Sequence, residues 1–261
     1  VTAAGLAALA AAAFVSSALT LFSGFGLGTL LLPAFALFLP LPLAVAATAV
    51  VHLANNLFKL WLVGRRADRG VVLRFGVPAA LAAFAGAAVL NAAAGLAPVG
   101  SWSLGGRHYD VTPLDLGMGG LMLVFALLDV LPLFQQLAFD RRWLPVGGLL
   151  SGFFGGLSGH QGALRAAFLV KAGLGKEAFI GTNVVIAVLV DVVRLAVYGA
   201  GSLAHVDSTL AVPIAVATLA AFVGAFFGAR WVEKVTYRTV QLVVAGMLVV
   251  VALAISAGLV G

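Results

Sequence analysis

Cysteine is absent from the 261 residues, and charged side chains are scarce at 9% of the chain. The first absence excludes disulfides, thiolate metal sites and cysteine nucleophiles. The second excludes an ordinary soluble domain, which carries roughly a quarter charged residues. No polar stretch is long enough to form a separate soluble domain. No Walker-type phosphate loop is present, so ATP-driven pumping by this chain alone is not expected. What remains is apolar: 63% of residues are hydrophobic, and the chain reads as an integral membrane protein. The formal charge of +6 does not point to nucleic acid, because the basic residues fall between apolar segments. Val1–Phe22 has neither a basic lead segment nor a cleavage site, so it reads as a helix and not as a signal peptide. No cofactor and no metal is expected.

Apolar segments run over 4–22, 27–39, 41–63, 75–97, 114–134, 144–157, 161–170, 178–200, 209–229 and 240–260. Six of them (41–63, 75–97, 114–134, 178–200, 209–229, 240–260) reach the roughly 20 residues a full crossing needs. The short segments pair into two helical hairpins, 4–39 and 144–170, each broken at glycines. Segment 4–22 is long enough to span by itself, which leaves the first hairpin the less certain of the two.

Lysine and arginine mark cytoplasmic loops. Arg65, Arg66, Arg69, Arg74, Arg141, Arg142, Lys171, Lys176, Arg230, Lys234 and Arg238 all fall on one side if each hairpin returns to its starting side. The opposite loops, 98–113 and 201–208, receive only Arg107. Both termini are then expected outside the cytoplasm. Trp102, His108 and Tyr109 in the outer loop read as an interfacial anchor.

A repeat underlies this order. Gly24-Phe25-Gly26-Leu27-Gly28 precedes Ala47-Thr48, and Ser158-Gly159-His160-Gln161-Gly162 precedes Gly181-Thr182 at the same spacing. Segment 41–63 runs inward whereas its counterpart 178–200 runs outward. The expected fold is therefore an all-α polytopic membrane protein of two inverted-topology repeats, each a glycine-broken helical hairpin plus three transmembrane helices. The first repeat covers 1–134, a cytoplasmic connector 135–143, and the second repeat 144–261. Glycine breaks at matching places in two halves are the sequence pointer to a transporter's binding site. Chance self-similarity in a chain with 32 glycines is the competing explanation.

These motifs, with the basic loop between the halves, resemble the TauE/SafE sulfite exporter family across essentially the whole chain. The run Gly155-Gly156-Leu157-Ser158-Gly159-His160-Gln161-Gly162-Ala163-Leu164-Arg165 is the most specific part. The resemblance implies export of sulfite or an organosulfonate across the bacterial inner membrane through two related halves. The chain departs from the family pattern where His160-Gln161 interrupts the second glycine run. It departs again where Ala167 stands in place of the proline that Pro33 supplies in the first half.

Charges at membrane depth cost ~2.5–3.5 kcal/mol or more each, so each is a candidate functional group. Arg165, just past the glycine break and beside the N-terminus of a short helix, is suited to binding an anion. Its alternative is a pair with Asp129 or Asp191. His160 and Gln161 in the break are candidate substrate ligands, with the backbone of Gly159, Gly162, Gly26 and Gly28. His160 is also a candidate proton carrier; closing the hairpin on backbone is its structural alternative. His52, Asn55, Asn56 and Lys59 form a polar stripe on one helix face. There His52 and Asn55 are candidate ligands, Asn55 and Asn56 alternatively interhelical glue, and Lys59 is expected to snorkel. Thr48, Thr182 and Asn183 are candidate ligands, with N-capping the other role for Thr182. Asp191 and Arg194, three apart, are expected to pair. With His160 and Asp129 they are the candidates for proton coupling or gating.

The expected function is a secondary transporter exporting a small anion, with the bilayer and a coupling proton as its other partners. The alternative is an anion channel of the same architecture. A remote alternative is a rhomboid-like protease, from Gly156-Leu157-Ser158-Gly159 and His52-Leu53-Ala54-Asn55-Asn56. It lacks a well-placed base, since His205 sits in the outer loop. No catalytic residues are expected, and the oligomeric state is left open.

Overall fold

The computed structural model describes residues 2–23, 27–131, 137–201, 210–231 and 237–260. The described part is mostly helical: α1 Ala3–Ser23, α2 Leu27–Ala36, α3 Leu41–Val63 and, after a short linker, α4 Arg69–Ala93. A β-hairpin (β1 Gly100–Leu104, β2 Arg107–Val111) leads to α5 Pro113–Val130. The second half contains α6 Leu144–Ser158, α7 Gly162–Leu169, α8 Lys176–Gly199, α9 Ala211–Trp231 and α10 Tyr237–Ser256. Most helices lie within a few residues of the hydropathy segments, whereas α4 begins at Arg69, six residues before the expected 75–97. Leu41–Trp61, Arg69–Ala93 and Lys176–Gly199 are long and apolar enough to cross a bilayer, and the other apolar helices have shorter described apolar stretches.

Local chemistry sets several boundaries. Pro42 in the first turn of α3 needs no N–H partner there. α5 opens with a capping box: Thr112 Oγ1 accepts from Asp115 N, and Asp115 Oδ2 accepts from Thr112 N. α4 begins with Asp68 accepting the Val71 N–H at 2.8 Å and contains a π-helical turn over Val72–Gly76.

The hairpin in loop 98–113 corrects the all-α expectation. Gly105 (φ +58°) and Gly106 (φ +80°) occupy the two positive-φ positions of its turn. Trp102 stacks on Tyr109 at 4.9 Å and donates from Nε1 to the Ala257 carbonyl. The two aromatics thus clamp the hairpin to the end of α10.

Packing follows small residues. Gly148, Gly152 and Gly156 line one face of α6 and lie against the backbone of Phe75, Ala79 and Ala83 on α4, in parallel register. Gly86 of α4 meets the Phe153 carbonyl in return. The α1–α9 contact is built likewise, with Gly224 on the Phe14 carbonyl. These two are the most extensive helix pairs, followed by α5–α10 and α3–α8. Between apolar helices in lipid there is no hydrophobic gain to separate packed from unpacked, so such close backbone approach is a main source of association. α3 and α8 run antiparallel: Gly181 lies against the Val63 carbonyl, while His52 faces Asp191.

The basic loops gather at one end. Arg66 pairs with Glu177 at 2.5 Å, the linker's Asp68 N–H reaches Thr182, and Phe139 stacks on Phe168. Hairpin α6–α7 starts and finishes at this end, and its tip lies beside Ala83, near the middle of α4. Arg230, Lys234 and Arg238 lie outside the described side chains.

The packing predicts a contrast between two glycines. A Cβ at Gly152 would sit 2.5 Å from the Ala79 Cα, whereas one at Gly117 meets nothing within 4 Å. Gly152→Ala should lose about 1–3 kcal/mol and lower the melting temperature in detergent. Gly117→Ala should raise it slightly through helix propensity. Equal effects would show that the α4–α6 contact is not limiting.

Candidate functional site

The second glycine break forms because α6 cannot continue. Gly159 adopts φ +82°, a left-handed conformation that ends the helix, and its N–H returns to the Gly155 carbonyl. His160 and Gln161 bridge to α7, whose first turn is closed by the Arg165 N–H on the Gln161 carbonyl. Ser151 also donates to that carbonyl at 3.2 Å. Gly28 of α2 packs against this break: a Cβ there would lie 3.3 Å from the Gly159 carbonyl oxygen and 3.7 Å from Thr48 Cγ2. The two glycine motifs and Thr48 therefore meet at one place. Gly26 lies outside the described residues.

Beneath the break is a buried charge network, in which Arg194 Nη2 lies in ion-pair contact with Asp191 but has no hydrogen-bond partner among the described residues. Asp191 has no exposed surface. Its Oδ1 is 3.0 Å from Arg194 Nε and 2.7 Å from Arg194 Nη2. Its Oδ2 accepts from His52 Nδ1 at 2.6 Å and from Asn56 Nδ2 at 3.0 Å. Arg194 Nη1 continues to the Gly155 carbonyl at 3.3 Å and lies under Gly159. The expected Asp191–Arg194 pair is present, but His52 joins it, so His52 faces a carboxylate and not an open ligand position. Asn55 instead receives a hydrogen bond from Ser17 Oγ of α1 at 3.2 Å, its interhelical role. Lys59 is buried too, correcting the expectation that it snorkels to water.

Arg165 behaves differently. It is 5% exposed, its Nη1 donates to Gln161 Oε1 at 3.1 Å, and its Nε finds no partner among the described residues. The alternative pair with Asp191 is not formed, because Arg194 and His52 occupy that carboxylate. The Asp129 side chain lies outside those described. Since Gln161 Oε1 accepts from Arg165, its Nε2 is the remaining end, and it too is buried without a partner among the described residues. The side chain of Gln161 rests on Gly155, which joins this pair to the network above.

His160 can be assigned by hydrogen-bond arithmetic. With the Ser158 hydroxyl hydrogen on the Phe154 carbonyl at 3.0 Å, Ser158 Oγ accepts from His160 Nδ1 at 3.1 Å. Nδ1 is thus protonated, and in the neutral ring Nε2 is an acceptor. It is buried and unpartnered among the described residues, with the ring stacked on Phe125 of α5 at 5.3 Å. The same arithmetic bears on a serine-protease geometry. His160 hands a hydrogen to Ser158 where a base would remove one, and His205 lies outside the described residues.

The other candidates divide. Thr48 Oγ1 and Asn183 Oδ1 are buried without partners among the described residues. Thr182 is neither an N-cap nor free. The cap of α8 is Gly175, and the Thr182 hydroxyl accepts from the Asp68 N–H at 2.9 Å. Gly162 begins α7 and is buried. The sequence alone did not reveal Ser17, Ser151, Phe125 or Tyr198, whose hydroxyl donates to the Gly156 carbonyl. A lone hydroxyl in an apolar segment was the only available signal for the first two and for Tyr198.

The family model described as Sulfite exporter TauE/SafE matches residues 9–255. No curated protein and no solved structure matches the chain.

The network makes a stability prediction. Asp191→Leu strands the Arg194 charge in a buried place and should cost about 3–5 kcal/mol. Asp191→Leu with Arg194→Met should recover a large part of that loss, read as melting temperature in detergent in a double-mutant cycle. Additive losses would refute the coupling.

Proposed function

The chain belongs to the sulfite exporter TauE/SafE family, and from that premise we propose a secondary transporter that carries sulfite or an organosulfonate outward across the bacterial inner membrane. The observation that carries the site assignment is Arg165: a buried arginine whose Nε and whose partner Gln161 Nε2 are both donors without acceptors among the described residues. A cation with surplus donors, at the start of α7 where helix N–H groups are also unpaired, suits an oxyanion. Thr48 and the Gly28–Gly159 contact border the same break.

The two halves act as inverted repeats. Support comes from the antiparallel run of α3 and α8 and from the exchange of equivalent contacts. α1 packs on α9 as α6 packs on α4, and α3 packs on α9 as α8 packs on α4. Both termini lie outside the cytoplasm, a reading supported by the basic loops that share one end. Buried ligand atoms at a mid-depth break suit alternating access around a fixed centre.

A proton accompanies the anion. A fully deprotonated oxyanion offers acceptors only and leaves neutral His160 Nε2 unmatched, so either the substrate brings an O–H or His160 takes up the proton. The Asp191–Arg194–His52 network ties the break to α3 and serves as the gate.

The test is uptake of labelled sulfite into proteoliposomes, with and without a pH gradient. Saturable, gradient-dependent uptake is expected. Arg165→Ala should abolish it in protein that elutes and melts like wild type, and Arg165→Lys should lower it at least about tenfold, because a point charge does not replace the guanidinium fork. Full activity of Arg165→Ala would remove this assignment. Gradient-independent uptake would remove the proton.

A further inference from the structure

A second place in the molecule has the makings of a binding site, at the basic end and away from the glycine break. Gly64, Arg65 and Ala67 of the α3–α4 linker enclose a cavity of about 370 Å³ with Arg69, Val72 and Leu73 of α4 and Val185 of α8. Its floor is apolar and its rim carries two guanidinium groups.

The charges around this cavity are not balanced within the protein. Arg66, which does not line it, pairs with Glu177. Asp68 is engaged as the cap of α4 through the Val71 N–H. Arg141 approaches over Gly70, adding another positive charge nearby. Arg65 and Arg69 are exposed and have no carboxylate partner among the described residues. Arginine in this position favours a phosphate.

The apolar floor continues into the outer surface of α4. Leu73, Val77, Leu81 and Phe84 are 63%, 47%, 69% and 60% exposed and recur at helical spacing. A stripe of that exposure on a membrane helix faces acyl chains. Leu73 belongs to both the stripe and the cavity, and it sits in the π-helical turn, which widens the helix there. The neighbouring Trp61 is 80% exposed, as befits a residue at the headgroup level. One ligand matches a cationic rim that opens directly onto a lipid-facing stripe: a lipid with a negative headgroup and a chain along α4.

We propose that the cleft between the α3–α4 linker and α8 is a binding site for an anionic glycerophospholipid, with the phosphate on Arg65 and Arg69 and an acyl chain starting at Leu73. The cleft bridges the α3–α4 linker and α8; α3, which runs into that linker, carries His52, and α8 carries Asp191. A lipid there ties together the cytoplasmic ends of the two helices that form the gate.

The experiment uses the purified full chain in neutral detergent and measures binding of phosphatidylglycerol by native mass spectrometry. Phosphatidylcholine of the same chains and glycerol phosphate are run alongside. Phosphatidylglycerol should bind saturably and about tenfold or more tighter than phosphatidylcholine. Arg65→Ala/Arg69→Ala should remove that preference, and Arg142→Ala, altered in a different basic loop, should keep it. Leu73→Gln should weaken both lipids. Both arginines are exposed, Arg65 on the linker and Arg69 at the start of α4, so the double variant is expected to fold, and its elution and melting profile check that. Equal binding of the two lipids, or an unchanged preference in the double variant, would overturn the site. Glycerol phosphate binding as tightly as the lipid would overturn the lipid assignment in favour of a soluble phosphate site.

Discussion

Asp191 is a carboxylate without access to water in the middle of a helix long enough to cross the membrane. An unpaired charge there is among the costliest features a membrane protein can contain. Its compensation organises the centre of the molecule. His52 and Asn56 bring α3 against α8, and Arg194 carries the connection to the Gly155 carbonyl at the end of α6. One buried charge thus fixes the relative position of the two antiparallel helices and of the broken hairpin. Arg194 is thereby paired, and Arg165 is a buried arginine with no carboxylate partner among the described residues. The separation of roles between two buried arginines follows from which of them reaches Asp191.

Glycine contributes in two physically different ways. On α6, Gly148, Gly152 and Gly156 remove side chains so that the helix can lie on the α4 backbone. At Gly159 the requirement is conformational, because a positive φ stops the helix at depth and directs His160 and Gln161 across the gap. The first use brings the hairpin into the bundle, and the second leaves polar atoms exposed to one another inside it. Irregular backbone at membrane depth is tolerated only where protein or a cavity surrounds it. Here Arg194 beneath Gly159, Ser151 on the Gln161 carbonyl and Tyr198 on the Gly156 carbonyl supply that surrounding.

Much of this was legible in the sequence, for identifiable reasons. Hydropathy located α3 at 41–63 and the short arms at 144–157 and 161–170, because length and apolar run are local properties. The pair Asp191–Arg194 was visible because it is three residues apart on one helix. The partner of His52 was not, since Asp191 lies 139 positions away, and only the antiparallel packing of α3 and α8 brings them together. Thr182 was misjudged for a related reason. A hydroxyl near a helix start resembles a cap until the helix is seen to begin earlier and the linker to lie on it. The β-hairpin did have a signal, Gly105-Gly106 between alternating residues, but in a chain dominated by glycine-rich apolar segments that signal is easily passed over.

The hydrogen-bond inventory of the break constrains its ligand more narrowly than charge does. Arg165 Nε and Gln161 Nε2 can only donate, and both are satisfied by any oxyanion. His160 Nε2 is different, because Ser158 has already given its hydrogen to Phe154 and so fixes the proton on Nδ1. A bare sulfonate satisfies the donors and leaves this nitrogen facing a lone pair. An oxyanion bearing a hydroxyl satisfies all three, and a protonated imidazole lets the sulfonate do the same. On the proposed reading, a proton faces His160 Nε2 in both cases, held either by the anion's own hydroxyl or by the imidazole.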